Sequence, residues 1–415
     1  MSQLATGSAV CSGTESALAS DSSSGLQIVP PPAGLRLLER GTQAFTRILE
    51  LTRSASHSIE VRAFLWRDDE TGNELALELL RAADRGVQVH IRKDRIGANY
   101  ELIGGSQQSF FHKQTGVGQG IRTWFLSTVY RGHGKARQQT NELAVALCEH
   151  PNVTIDQRKR FDHAKLFIFD EERIVLGSMG IGDNHRHEWT DVMVELHSPE
   201  VVQRLRERTD GAPFDAARDI DFLVHSRDVH GDIACPMLAD RLALIDSARE
   251  RLTVEMAYLG DRRYTEALLR AVGRGVEVTL VTSARADLLG DLNLATCDAL
   301  LRAAPGAPNL HVFLHPNMIH SKVVVIDGHV CDVGSANFTR LSHGVYDEVN
   351  LYVRDKGLAA RLEALVEQRR LEGYHAGPRV PYRKLRSQFE RAFIAFFARN
   401  ASAAGDPDLH DLRST

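Results

Sequence analysis

Cysteine is scarce in this chain of 415 residues. Cys11, Cys148, Cys235, Cys297 and Cys331 are scattered, odd in number and never spaced as CxxC. That pattern argues against a disulfide framework or a zinc ribbon and fits a reduced, intracellular compartment. An excess of one charge is also missing. Fifty Lys and Arg stand against 54 Asp and Glu, a formal net charge of −4, so no global field draws the chain to nucleic acid or anionic lipid. No run of about 18 apolar residues occurs, which excludes a spanning helix and leaves any membrane role peripheral. Residues 1–33, rich in Ser, Ala, Gly and Thr, lack the basic start and apolar stretch of a signal peptide and read as a flexible tail.

What the chain does contain is an internal repeat. "FDHAKLFIFDEERIVLGSMG" (161–180) and "IHSKVVVIDGHVCDVGSANF" (319–338) share the skeleton H-x-K-x(4)-D-x(6)-G-S. His163, Lys165, Asp170, Gly177 and Ser178 match His320, Lys322, Asp327, Gly334 and Ser335 at one constant offset, which then pairs Asp191 with Glu348. A second repeat lies upstream, where residues 57–91 resemble 250–281. Each copy reads as a β-branched strand, an amphipathic helix, a Gly turn (Gly86, Gly275) and another strand, a βαβ unit with a right-handed crossover. The expected architecture is α/β: two homologous halves, 34–210 and 211–375, each a mostly parallel sheet flanked by helices. Residues 376–415 form a basic, aromatic helix and tail. If the halves pack about a pseudo-two-fold, both motifs converge on one cleft.

The chemistry follows from residue types. A His and a Lys two apart on a strand share a face, and a cationic cluster at the mouth of an apolar strand is costly unless it binds an anion. Cleaving a phosphodiester needs a nucleophile, an acid for the departing oxygen, and positive charge or donors for the phosphoryl oxygens. His163 and His320 supply the first two roles, and the symmetry of the motifs leaves open which does which. Lys165 and Lys322 neutralise phosphate without a metal. Ser178, Ser335 and Asn337 are short donors on the following turns. Asp191 and Glu348 are partners for the distal ring nitrogens, fixing tautomer and raising basicity. Asp170 and Asp327, at the far ends of the motif strands, read as structural anchors.

The doubled motif resembles the phospholipase D superfamily, and the stretch 35–72 together with "MIHSKVVVIDG…GSANFTRLS" is most similar to bacterial cardiolipin synthases. The resemblance implies a phosphohistidine intermediate on His163, acid/base work by His320, and no metal or other cofactor. It implies a phosphatidyltransferase acting on phospholipid, cytoplasmic and peripheral to the inner face of the cell membrane. Hydrolysis by the same site is the alternative. A nuclease of the superfamily ranks lower, because basic excess and aromatic–basic stripes are missing. The sequence departs from the family pattern at Gly180, where the second copy has Asn337; loss of such a donor costs roughly 2–4 kcal/mol of transition-state stabilisation. Asn184 or His185 are the candidates to fill in, and a non-catalytic phospholipid binder is the reading if nothing does.

Other features receive plainer readings. His185, Arg186, His187 and Glu188 lack metalloenzyme spacing and read as a solvated rim, and His311, His315 and His320 lack a ligand pattern. "GANYELIGGS" has no GK[ST] ending and reads as a mobile loop near the cleft. In 382–400, Leu385, Phe389, Ala392, Phe393 and Phe396 form one helical stripe among Arg383, Lys384, Arg386, Arg391 and Arg399. Docking of that stripe on the core is favoured over insertion into lipid, a reading that draws on the resemblance.

Overall fold

The computed structural model describes residues 34–101, 109–112, 141–157, 161–230 and 235–401. The N-terminal tail, the C-terminal tail and most of the Gly-rich segment's surroundings lie outside these residues. Two mixed sheets carry the fold. The first comprises β1 (Arg36–Leu38), β2 (Ser58–Ala63), β3 (Gln88–Lys93), β4 (Val153–Asp156), β5 (Leu166–Phe169), β6 (Arg173–Gly177) and β7 (Met193–His197), in the order β1-β7-β6-β5-β2-β3-β4. The second comprises β8 (Ile220–His225), β9 (Arg251–Met256), β10 (Glu277–Ser283), β11 (Leu310–His315), β12 (Lys322–Ile326), β13 (Val330–Gly334), β14 (Glu348–Arg354) and β15 (Tyr374–His375), in the order β15-β11-β10-β9-β12-β13-β14-β8.

The two expected βαβ units are present. β2 pairs parallel with β3 across the helix Glu70–Asp84, and β9 with β10 across Arg262–Gly273. Asp69 and Asp261 cap these helices by accepting from Gly72 N and Arg263 N. Gly86 and Gly275, at φ +96° and +85°, turn the chain out in the left-handed region open to glycine. The sheets are not mostly parallel, however. From β2 through β5, β6, β7 to β1 every pairing is antiparallel, as it is from β9 through β12, β13, β14 to β8. The motif strand is followed by a tight turn that folds it back as a hairpin, which a parallel crossover cannot do.

The unbroken apolar character of the motif strands has a simple cause. Leu166 and Ile168 of β5 point with Val323 and Val325 of β12 into one core shared by both sheets. Phe167 and Phe169 point the other way, under the helices of the first half, and Val324 and Ile326 do the same in the second. Both faces of each strand are therefore buried, every position is apolar, and each such side chain contributes about 1.5–3 kcal/mol. Face-to-face packing of the sheets then sets the two strand mouths side by side.

Asp170 and Asp327 close the opposite ends of these strands. Asp170 accepts from the backbone N–H groups of Ser56, His57 and Ser58, and Asp327 from those of Arg249, Glu250 and Arg251. Both adopt positive φ, +53° and +49°. The anchoring role expected of them is what they perform, tying the motif strand to the start of the central parallel strand.

The C-terminal helix Lys384–Ala401 docks on the core, but of the expected stripe only Phe393 is buried there. Arg383 pairs with Asp291 at 2.7 Å, Glu390 accepts from Leu292 N at 2.8 Å, and Phe393 and Ile394 are buried. These anchors rotate Leu385, Phe389 and Phe396 outward, where they are 82, 39 and 61% exposed.

Replacing Asp170 or Asp327 by alanine strands a fan of backbone donors and is expected to lower stability by about 1–3 kcal/mol, read from the urea midpoint. Activity per folded molecule is expected to survive, since neither carboxylate reaches the cleft.

Candidate active site

The segments entering and leaving the motifs clamp the two halves together. His163 N donates to Asp347 O and Asp347 N to Phe161 O, at 2.8 and 2.9 Å. In the other direction, His320 N donates to Thr190 O and Thr190 N to Met318 O, at 2.8 and 3.0 Å. Each motif histidine is thereby delivered to the carboxylate that follows the other half's Gly-Ser turn. His163 Nδ1 lies 3.1 Å from both oxygens of Glu348, and His320 Nδ1 lies 2.8 Å from Asp191 Oδ1. All four groups are buried. A carboxylate at Nδ1 fixes the proton there and leaves Nε2 as the basic nitrogen.

Those Nε2 atoms face one open cleft lined by His163, Lys165, His320 and Asn337 and walled by Phe64, Tyr100, Trp189, Tyr258 and Tyr346. His163 stacks on Tyr346 at 5.0 Å and meets the edge of Phe64 at 4.9 Å. Lys165 Nζ is held by His163 O at 2.6 Å. Lys322 Nζ bonds to His320 O and also sits 3.1 Å from His320 Nε2. The two halves therefore differ at the reacting nitrogens. His320 Nε2 has an ammonium at hand, and His163 Nε2 has no hydrogen bond among the described residues.

Burial sets the protonation states. It pushes His163 down to about 4, with Glu348 opposing and Lys165 assisting, and takes His320 well below the usual range, with Lys322 assisting. Both rings are neutral near pH 7. Burial and the Lys322 charge bring Lys165 down to about 7, and burial brings Lys322 down to about 8. Burial alone would raise Glu348, but the charges of His163 and Lys165 and the Ser335 hydroxyl hold it at about 2. Two buried ammonium groups, both destabilised by desolvation, thus flank the cleft, and an anion between them relieves both.

Several expected site residues act differently from the sequence reading. Ser178 Oγ donates to Asp191 at 2.6 Å and Ser335 Oγ to Glu348 at 2.5 Å, so the serine protons orient the carboxylates instead of reaching phosphate. The motif turn brings each serine back against its own half's carboxylate strand, too deep to face the cleft. Asn337 does line the cleft, and its Oδ1 has no partner. His185 is fully buried and not on a rim: one turn of π-helix over Asn184–Glu188 drops it inward, while His187 and Glu188 stay exposed. Its Nδ1 lies 2.8 Å from Asp191 Oδ2, its ring is 4.9 Å from that of His320, and its Nε2 is unpaired. A Cβ on residue 180 would lie 2.8 Å from that Nε2, so Gly180 is the space His185 occupies. His311 and His315 pair separately with Glu277 and Glu372. The supposed mobile loop begins as a short helix, Gly97–Glu101, whose Tyr100 is a cleft wall.

His185, Asp191 and His320 bring one possible ligand atom each within 4.8 Å of the others. Asp191 already accepts from both rings at Nδ1, and the neighbouring Lys322 and Lys165 charges oppose a divalent cation. The sequence reading missed Tyr346 and Arg67, a buried arginine that lines the cleft. For Arg67 a signal existed: the repeat places Gly260 opposite it, so this cation belongs to one half alone.

The geometry is that of a phosphodiester-processing enzyme with paired histidines. Residues 48–211 and 242–370 match the family described as cardiolipin synthase, PLD-like domain, and the chain belongs to that phospholipase D-like, phosphatidyltransferase family. It is 27% identical over 356 residues to cardiolipin synthase A of Pseudomonas syringae pv. syringae, covering 80% of this chain and 67% of the relative. Cardiolipin synthase A of Pseudomonas fluorescens is 26% identical over 354 residues, with the same shares. The fold is shared with the crystal structure of phosphatidylserine synthase from Haemophilus influenzae, at a TM-score of 0.63 and 14% identity over 89% of this chain and 94% of that one. No helix among the described residues is long and apolar enough to cross a membrane.

Because an anion raises the depressed lysines, its binding at about pH 8 is expected to take up protons. Calorimetric titration with sulfate, whose own charge is constant there, in two buffers of different ionisation enthalpy reads this uptake. Lys165→Met is expected to reduce it. In the free enzyme kcat/KM is expected to rise with pH through about 4, as His163 loses its proton, and to fall through about 7 as Lys165 does.

Proposed function

We propose that the chain transfers a phosphatidyl group between phospholipids, as a cardiolipin synthase does, without a metal. The observation that carries this reading is the pair of crossed carboxylate–histidine contacts beside two lysines around one cleft. His163 Nε2 attacks phosphorus, the bond from phosphorus to the headgroup oxygen breaks, and the leaving oxygen takes a proton from the His320–Lys322 pair. The open Nε2 of His163 and the ammonium beside His320 Nε2 support this division of labour. Lys165, Lys322 and Asn337 hold the phosphoryl oxygens as charge develops. In the second step an acceptor hydroxyl attacks the phosphohistidine, its proton goes to His320 Nε2, and the P–N bond breaks.

The same site with water as acceptor is a hydrolase, so products decide. Labelled phosphatidylglycerol in mixed micelles, with chelator present, is expected to give cardiolipin and glycerol. His163→Ala and His320→Ala are each expected to lose about a thousandfold or more. Phosphatidic acid alone identifies hydrolysis, and no product from any phospholipid points to a binding role.

The lipid substrate is reached peripherally in this reading. Leu385, Phe389 and Phe396 form an outward apolar row with Lys384 and Arg391 beside it, on a helix whose inner face packs with Leu289 and Tyr258 near the cleft. Leu385→Glu with Phe396→Glu is expected to weaken binding to phosphatidylglycerol vesicles about tenfold or more in sedimentation, with the melting temperature unchanged.

A further inference from the structure

The geometry points to Arg67 as the seat of the acceptor lipid's own phosphate, an inference that rests on the transferase reading above. Arg67 follows β2, where its N–H donates to Ile181 O at 3.0 Å. The residue is 1% exposed and lines the cleft. Its Nε has no partner, and Nη1 reaches only Glu101 O at 3.5 Å, the limit of a hydrogen bond. Among the described residues no carboxylate lies within ion-pairing distance. Asp69, which is near, already accepts from Gly72 N and Asp183 N. A buried guanidinium left so poorly paired calls for an anion, and its planar fork suits phosphate.

Its position says which anion. The HxK pairs face one another across the cleft and address the phosphate under attack from both halves. Arg67 has no counterpart, since Gly260 stands at the equivalent point after β9. It also lies on one side of the reaction. A Cβ on Gly182 would meet Arg67 Cδ at 2.9 Å, and one on Gly180 would meet His185 Nε2 at 2.8 Å. The His185 ring in turn abuts that of His320. Gly180 and Gly182 of "GSMGIGD" thus seat a row that runs from His320 through His185 to Arg67. If His320 handles the proton of the alcohol, Arg67 lies along the path of that alcohol.

A phospholipid acceptor such as phosphatidylglycerol carries a phosphodiester anion one glycerol unit from its reacting hydroxyl. Water, a simple alcohol and departing glycerol do not. An arginine one side chain beyond the acid/base histidine recognises that difference, and so favours transfer to lipid over transfer to water. Gly180 then makes room for acceptor recognition, and its missing amide is no defect.

The test is a competition for one intermediate. Full-length protein is given labelled phosphatidylglycerol in mixed micelles with a fixed concentration of 1-butanol, and cardiolipin and phosphatidylbutanol are measured together. Both products drain the same phosphohistidine, so their ratio is indifferent to the fraction of folded enzyme. In Arg67→Ala and Arg67→Gln the ratio of cardiolipin to phosphatidylbutanol is expected to fall at least tenfold, with Arg67→Lys between them and wild type. An unchanged ratio overturns the assignment, as does loss of both products in all three variants while they remain folded by circular dichroism. A wild type that makes phosphatidylbutanol but no cardiolipin overturns the transferase reading itself, before any variant is made.

Discussion

Asp191 and Glu348 each sit on one half of the molecule and hydrogen-bond the motif histidine of the other, and the rest of the site depends on this crossing. The crossing requires the two sheets to meet face to face, with β5 and β12 sharing a core, and requires the reciprocal backbone bridges at Asp347 and Thr190. Once it is made, it fixes both tautomers and aims both Nε2 atoms at one cleft. The serines of the Gly-Ser turns then complete each carboxylate from behind. A buried carboxylate–imidazole pair is costly if either partner is lost, because the survivor remains in a low dielectric. The reactive centre is therefore itself part of the interface between the halves.

The two halves are alike in skeleton and unlike in detail, and the detail carries direction. One histidine presents an open nitrogen beside an aromatic stack, and the other shares its nitrogen with a lysine and its carboxylate with a second histidine. The duplicated scaffold brings two histidine–lysine pairs together. Sequence differences at Gly180, His185 and Arg67 break that symmetry on the His320 side of the cleft.

Much of this was legible in the chain. The doubled H-x-K pattern located both strand mouths, the trailing carboxylates were paired by one offset, and the Gly86 and Gly275 turns marked the βαβ units. Hairpin return of β5 and β12 was not legible, because an all-apolar strand gives no sign of its neighbour's direction. Asp170 and Asp327 were readable as anchors from their distance along the strand. The serines were misjudged because a hydroxyl's partner depends on depth, which sequence does not carry. His185 and Leu385 show the same limit: an inserted π turn in one case, and in the other an ion pair and a carboxylate bonded to a backbone N–H, decide which way a helical face points.

The crossing also bears on how the protein comes into being. The first half is synthesised with His163 but without Glu348, which lies near the far end of the second half. Until that strand is paired, the imidazole has no orienting acceptor and the lysine no cleft to guard. A partly made or clipped chain accordingly carries an unprimed histidine, and chemical competence arrives only with completed assembly. The orientation of His163 is in this sense a property of the assembled pair of halves and of neither half alone.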